Sequence, residues 1–490
     1  MGLVNEFKEI IRSYQEEMLK ALQECIKVRS LSGEEEGTRQ VLQYFLELGQ
    51  SLGFQAKNID NLGGVIELND KQNNGPDSGK TIGIIVHLDV VPEGSGWKHE
   101  PFAGQIEDGK VYGRGAIDNK GPAISALYAM KAVKESGLDR QAKIQMIIGL
   151  DEETVWDKTP KLLEKITEPD FSFVPDSVFP IVIAEKGLVW LELKKNFQPK
   201  PTPENSPQNA EPGLELKKIA GGDSPNIVPA YCEATLVIKK GQKADWQQKI
   251  KELIAKSQFQ MDLTEKGQDL TIISHGKSAH AFACCEGRNA ISQMVLFLTQ
   301  AEMRNMLHLN EGQQQFLNLF AENIGLDHYG KTLGLACEDT LTGRLTINPG
   351  YLKLDQQSFT LGLDIRFPAG EQLDSIREKI NSAFQCFQAE QIILDSLESL
   401  NFPEDNEHIQ KLLKVYRDYT GDRKAKPLGM GGTTFAKAFK RAVAFGPTFP
   451  GKPKVEHQPD EYIEIEHLMQ CAEIYALALK ELAQVPRSPA

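Results

Sequence analysis

Two histidines and a set of carboxylates stand at positions in this chain where a pair of divalent metal ions could be held. His87 follows the apolar run Thr81-Ile82-Gly83-Ile84-Ile85-Val86 and precedes Leu88-Asp89. Such a run reads as a buried parallel strand, and the residue at its end lies at the carboxyl edge of a sheet, where α/β proteins bind ligands. Asp118 lies in Gly113-Arg114-Gly115-Ala116-Ile117-Asp118-Asn119-Lys120-Gly121-Pro122, whose glycines allow tight backbone geometry just before a helix. Asp151, Glu152 and Glu153 follow a second run, Ile144 to Gly149, and Asp176 follows a third, Phe171 to Pro175. His457, in Val455-Glu456-His457-Gln458-Pro459, falls in the loop after a run ending at Phe445.

Two imidazoles and three or more carboxylates without a nearby thiolate suit two borderline divalent ions, zinc first, with cobalt or manganese possible. With Asp118 bridging, one ion takes His87 and Asp176 and the other Glu153 and His457, and a shared water completes both shells. That water would be made nucleophilic at neutral pH while the metals polarise a carbonyl. One carboxylate must stay unligated to carry the proton. Glu152 is the candidate, because neighbours on an extended segment point apart, which lets Glu153 face the metal and Glu152 the water. Asp89 stands to orient the His87 ring.

Each piece has a plainer reading when taken singly. A histidine at a strand end usually packs, and adjacent acids usually form a solvated loop. Gly113-Arg114-Gly115 also resembles the start of a dinucleotide-binding fingerprint, but Asp118 replaces its third glycine, and the nucleotide reading is rejected. His99, His275, His308, His328, His408 and His467 are assigned surface or packing roles.

The elements that position these residues follow from the apolar pattern. Up to about residue 185, short apolar runs alternate with amphipathic stretches, the pattern of an α/β unit with a mainly parallel sheet, and Gly121 to Lys134 reads as a helix. From about Lys186 to Glu390 the texture becomes α+β. Strands are expected at Leu188 to Leu193, Ala234 to Ile238, Leu270 to Ile273 and Phe359 to Phe367, with a helix over Asn289 to Met303. Five prolines between Pro199 and Pro212 mark a mobile loop. The α/β pattern returns after about residue 395, with a strand at Arg441 to Phe445 and a closing helix from Glu464 to Ala483. The expected architecture is a catalytic domain in two parts, 1–185 and 395–490, interrupted by an inserted domain at 186–394.

Bulk properties narrow the partner. With 55 Lys and Arg against 68 Asp and Glu the net charge is −13, which argues against nucleic acid or an anionic membrane. Seven scattered cysteines without CxxC spacing read as reduced thiols. The residues from Val4 to Val28 alternate charges with apolar residues at helical spacing, unlike a signal peptide, and no window is apolar enough to span a bilayer. The expectation is a cytoplasmic chain.

Taken together, six ordered stretches resemble the M20 family of metallopeptidases, most closely its dipeptidases of the PepV and carnosinase type. They are His87-Leu88-Asp89-Val90-Val91-Pro92, Gly113 to Pro122, Asp151-Glu152-Glu153-Thr154, Pro175 to Pro180, Gly431-Gly432-Thr433-Thr434-Phe435-Ala436 and His457-Gln458-Pro459. The resemblance assigns His87, Asp118, Glu153, Asp176 and His457 as metal ligands and Glu152 as general base, in agreement with the residue-level reading. It also implies a cis peptide at Asp118-Asn119. In the inserted domain, Gly276-Lys277-Ser278-Ala279-His280 followed by Gly287-Arg288-Asn289-Ala290 looks like the family's lid motif. The resemblance then gives His280 the role of stabilising the oxyanion, and Asn226 and Arg366 contact substrate, Arg366 by pairing its fork with a carboxylate. The long lid implies a monomer whose site is completed within one chain.

The leading expectation is a metal-dependent dipeptidase. An N-acyl or N-succinyl amino acid amidohydrolase would use the same chemistry with another pocket. A non-catalytic small-peptide binder would have no need of Glu152.

Overall fold

The structure, a computed structural model, describes residues 2–68, 80–137, 142–198, 213–240, 242–267 and 269–484. The proline-rich stretch between Pro199 and Pro212 lies outside them. The chain forms two compact units. One comprises Met1–Ala184, Asn401–Gly429 and Thr433–Ala490; the other comprises Glu185–Leu400 and Met430–Gly432.

In the first unit, strands run across a sheet in the order Gln55–Ile59, Gly63–Leu68, Lys143–Gly149, Thr81–His87, Phe171–Val174, Ala442–Ala444, Val182–Glu185. The central four are parallel to one another. Their apolar runs are continuous because both faces are covered: from Ile82 to His87 every residue is buried. On the sheet lies the helix Lys120–Glu135, with Pro122 in its first turn, where a missing N–H costs nothing. The closing helix Ile465–Ala483 shares its core, and Ser125 Oγ donates to Leu468 O at 2.9 Å to tie the two. The N-terminal amphipathic stretch is two helices, Gly2–Ser13 and Gln15–Lys27, broken where Tyr14 takes ψ near 3°.

The second unit is α+β. Its sheet runs Met261–Lys266, Asp269–His275, Tyr231–Lys240, Gly213–Gly221, Thr346–Asp355, Ser358–Phe367, Gly187–Asn196, Glu390–Leu397, with every neighbouring pair antiparallel. Helices Ala290–Thr299, Glu311–Asn323 and Leu373–Ala383 bury their apolar faces in the same core. The helix expected from Asn289 to Met303 is interrupted at Gln300, which is extended at φ −59° and ψ 141°. The Thr299 hydroxyl, donating back to Val295 O and Leu296 O, offers the backbone an alternative to continuing the helix.

Candidate metal centre

Register delivers the candidate side chains to one edge of the first unit's sheet. His87 ends its strand directly opposite Gly149, so Asp151 to Glu153 emerge beside it. The neighbouring parallel strand Phe171–Val174 brings Asp176 to the same edge, and Ala442–Ala444, parallel to that strand, leads into the segment carrying His457. Asp118 stands just before the helix Lys120–Glu135, and the Asp118–Asn119 bond is cis.

The Asp118 carboxylate is shared. Its Oδ1 lies 3.0 Å from His87 Nε2 and its Oδ2 lies 3.0 Å from His457 Nε2. His87 Nε2 is also 3.6 Å from Asp176 Oδ2, and His457 Nε2 is 3.1 Å from Glu153 Oε2. His87 is buried, and its Nδ1 faces the carbonyl oxygen of Asp89 at 3.0 Å, which places the proton on Nδ1 and leaves Nε2 directed at the carboxylates. His457 holds φ at +63°, a left-handed conformation that non-glycine residues rarely adopt, and which persists only where the surroundings over-determine it. Among the described residues, two groups present ligand atoms all within 4.8 Å of one another: His87 with Glu152 and Asp176, and His87 with Asp118 and Glu153.

Glu152 and Glu153 do not stand on an extended segment. The segment is a turn, closed by Thr154 N–H on Asp151 O at 3.4 Å, rather than extended. The cause is Asp89, whose carboxylate accepts the backbone N–H groups of both residues, at 3.3 and 3.2 Å. In an extended strand consecutive N–H groups point to opposite sides, so one carboxylate could not receive both.

The electrostatics are those of a site that draws in positive charge. Burial works against a charged His87 ring, yet Asp176 and Asp118 outweigh it and hold its pKa well above the usual value. For His457 burial is likewise overcome, by Glu153 and Asp118. Burial, then the charge of Asp176, raises Glu152; burial, then Asp118, raises Glu153; burial also raises Asp176. Carboxylates crowded this closely favour a cation between them, and imidazole nitrogen with carboxylate oxygen is a donor set that fits zinc or a similar divalent ion.

Some of what builds the site is not visible in local spacing. Asn119 Nδ2 donates to Pro175 O at 2.6 Å and to Asp176 Oδ1 at 3.0 Å, holding that carboxylate in place. The Phe435 ring meets His87 edge-on at 6.0 Å, and Gly149 makes room for it, since a Cβ there would stand 2.1 Å from the ring. The Gly-Gly-Thr-Thr-Phe motif was the signal for Phe435; Asn119 had none beyond its place in the Asp118 motif.

The second unit holds the three residues expected to meet substrate. Asn226 and His280 are brought together, with Ala281 N–H donating to Asn226 O at 2.9 Å and Ile227 bridged to His280. His280 Nδ1 accepts the N–H of Phe282 at 3.2 Å, so in the neutral ring the proton sits on Nε2. Arg366 stands on the strand Ser358–Phe367, 4% exposed, and its Nε and Nη2 both donate to the Asp364 carboxylate, which fixes the plane of the fork. Of the histidines assigned packing roles, His467 is buried with Nε2 2.9 Å from Pro447 O.

Comparison with known proteins agrees with this architecture. The chain is 34% identical over 486 residues to the Bacillus subtilis (strain 168) protein named "Putative dipeptidase YtjP", covering 97% of this chain and 99% of that one. It is 29% identical over 491 residues to a Staphylococcus epidermidis protein named "Putative dipeptidase", again covering 97% and 99%. Among solved structures the fold is similar to human carnosine dipeptidase 1, with a TM-score of 0.57 at 16% identity over 98% of this chain and 100% of that one. It is also similar to the Saccharomyces cerevisiae dipeptidase Dug1p, with a TM-score of 0.57 at 12% identity over 99% of each chain. A family model matches residues 83–481, a span that contains every residue of the cluster around Asp118, and the chain therefore belongs to peptidase family M20/M25/M40.

Proposed function

We propose that this protein is a metal-dependent dipeptidase. The observation that carries the reading is Asp118, with one carboxylate oxygen 3.0 Å from His87 and the other 3.0 Å from His457, the arrangement a bridging ligand requires. His87 and Asp176 would hold one ion, Glu153 and His457 the other, and Asp118 both, with zinc favoured by the mixed nitrogen and oxygen donors. The bound ions would polarise the scissile carbonyl and acidify the attacking water.

The remaining steps fall to the chain's own side chains. Glu152, whose burial raises its carboxyl pKa, is suited to take a proton from the water and pass it to the leaving amine. Asp89 orients the His87 ring and holds the Glu152–Glu153 turn. His280, with its proton on Nε2, would donate to the oxygen that gains charge as the carbonyl is attacked. Arg366 would pair with the substrate carboxylate and Asn226 with its backbone. The names of the two bacterial relatives support a dipeptide as substrate. Among the described residues no helix is long and apolar enough to cross a membrane; with the acidic composition this supports a cytoplasmic enzyme, and the long inserted unit supports a monomer.

The test is amino-acid release from a panel of free-amine dipeptides, tripeptides and N-acetyl amino acids, with zinc, cobalt or manganese added to stripped protein. Metal-dependent cleavage of dipeptides is expected. Cleavage of acylated amino acids alone would replace the dipeptidase reading with that of an amidohydrolase. Peptide binding without turnover would make the protein a binder.

A further inference from the structure

One buried ion pair ties together the backbone around three of the candidate ligands, and nothing in the reaction outlined above uses it. Arg114 and Glu461 have side chains 2% and 0% exposed, and Arg114 Nη1 meets Glu461 Oε2 at 2.6 Å. The other carboxylate oxygen, Oε1, accepts the backbone N–H of Ile117 at 3.0 Å and of Asp118 at 3.2 Å. The Glu461 carbonyl receives the Gly113 N–H at 2.9 Å, so both ends of the Asp118 loop rest on one residue.

The guanidinium extends the linkage. Its Nη2 donates to Pro92 O at 3.3 Å and Glu93 O at 3.2 Å, in the segment that follows His87. Its Nη1 also approaches Gln458 O at 3.5 Å, the residue after His457. Trp97 lies against the guanidinium, 5.2 Å from ring centroid to Cζ, and is itself held by Nε1 donating to Glu93 O at 2.6 Å. A planar fork with several fixed donors can serve these acceptors together, and a lysine ammonium on a flexible stem cannot. Replacing a buried charge pair by apolar side chains is often neutral or stabilising, so stability alone does not account for this one.

We infer that Arg114 and Glu461 are positioning residues that hold the Asp118 carboxylate between His87 and His457. Neither touches the reacting atoms. The inference rests on the metal-centre reading proposed above and extends it to the pair that sets the bridge.

Cobalt is the probe, because its visible absorption reports ligand geometry apart from turnover. Full-length wild-type protein, Glu461→Gln and Arg114→Lys would be stripped and titrated with cobalt, following bound metal and the visible spectrum, with the melting temperature of each metal-free protein measured alongside. Both variants are expected to bind cobalt about 10–100-fold more weakly and with an altered spectrum. Wild-type affinity and spectrum in both variants, whatever their melting temperatures, would overturn the inference and leave the pair a structural brace. If Glu461→Gln does not fold, Arg114→Lys, which keeps the paired charges, decides by the same readouts. Wild-type protein that binds cobalt but cleaves no dipeptide would remove the dipeptidase reading and leave this inference standing; wild-type protein that binds no cobalt removes both.

Discussion

The Asp89 carboxylate accepts the backbone N–H of Glu153 at 3.2 Å, while the carbonyl of the same residue faces His87 Nδ1 at 3.0 Å. Two candidate ligands, one at the end of a strand and one in the turn that follows the neighbouring strand, are thus oriented by one residue that is 0% exposed. Asp89→Asn keeps the size and removes the charge, leaving one amide oxygen where two carboxylate oxygens served two N–H groups. Its kcat/KM should fall about 10–100-fold, as outer ligand partners typically cost. Steady-state kinetics at saturating metal checks this, and an unchanged value would remove Asp89 from the orienting role.

The role proposed for Glu152 allows catalysis to be tested apart from binding. Glu152→Gln preserves shape and one acceptor oxygen but cannot take up a proton, so kcat should drop about 10²–10⁴-fold, the usual worth of a positioned general base. Metal content, measured by elemental analysis, should stay at the wild-type level, because the proposed ligands are all retained. Full activity in this variant would end the general-base assignment.

Metal removal should act on stability as well as rate. Dialysis against a chelator should abolish turnover, and zinc should restore it. A ligand that binds only the folded state at about 100 times its dissociation constant adds roughly 2.7 kcal/mol. Thermal melts of the first unit's signal with and without zinc should differ accordingly, and equal melting points would speak against a site formed by folding.

In the second unit, Asn348 is the residue to change. It is 1% exposed, and its Nδ2 donates to Pro225 O at 2.8 Å and Ile227 O at 2.9 Å, on either side of Asn226. Asn289 Nδ2 donates in turn to Asn348 Oδ1 at 3.2 Å. Asn348→Ala strands buried polar groups, at a cost of about 1–3 kcal/mol. With Asn226 loosened, KM for a dipeptide should rise more than kcat falls, and metal content should not change.

The parts of this structure that sequence reveals are those with a local signature. Thr81 to Val86 is continuously apolar because the strand is buried on both faces, and the position of His87 at its end follows. The glycines before Asp118 and the pairing of Pro122 with a helix start are likewise local. The turn at Glu152 and Glu153 was not legible, because it depends on Asp89, more than sixty residues earlier in the chain. Asn348 gives no signal at all in its own neighbourhood, since its partners at Pro225 and Ile227 lie over 120 residues away. Glu461 is hidden for the same reason, its partner Arg114 being 347 positions distant. Periodicity reports burial and element type; it carries no record of which distant backbone a buried side chain will hold.

The strand Ala442–Ala444 fills a place in the sheet between Phe171–Val174 and Val182–Glu185. Its partner at Ser172 is made roughly 270 residues earlier, so at about 5–20 residues per second a ribosome leaves that slot open for some 15–50 s. During that interval the nascent chain already carries His87, Asp118, Glu153 and Asp176 but lacks His457. Of the proposed ligands His457 is therefore synthesised last, and the two-ion site proposed above can be completed only after the strand Ala442–Ala444 has been made.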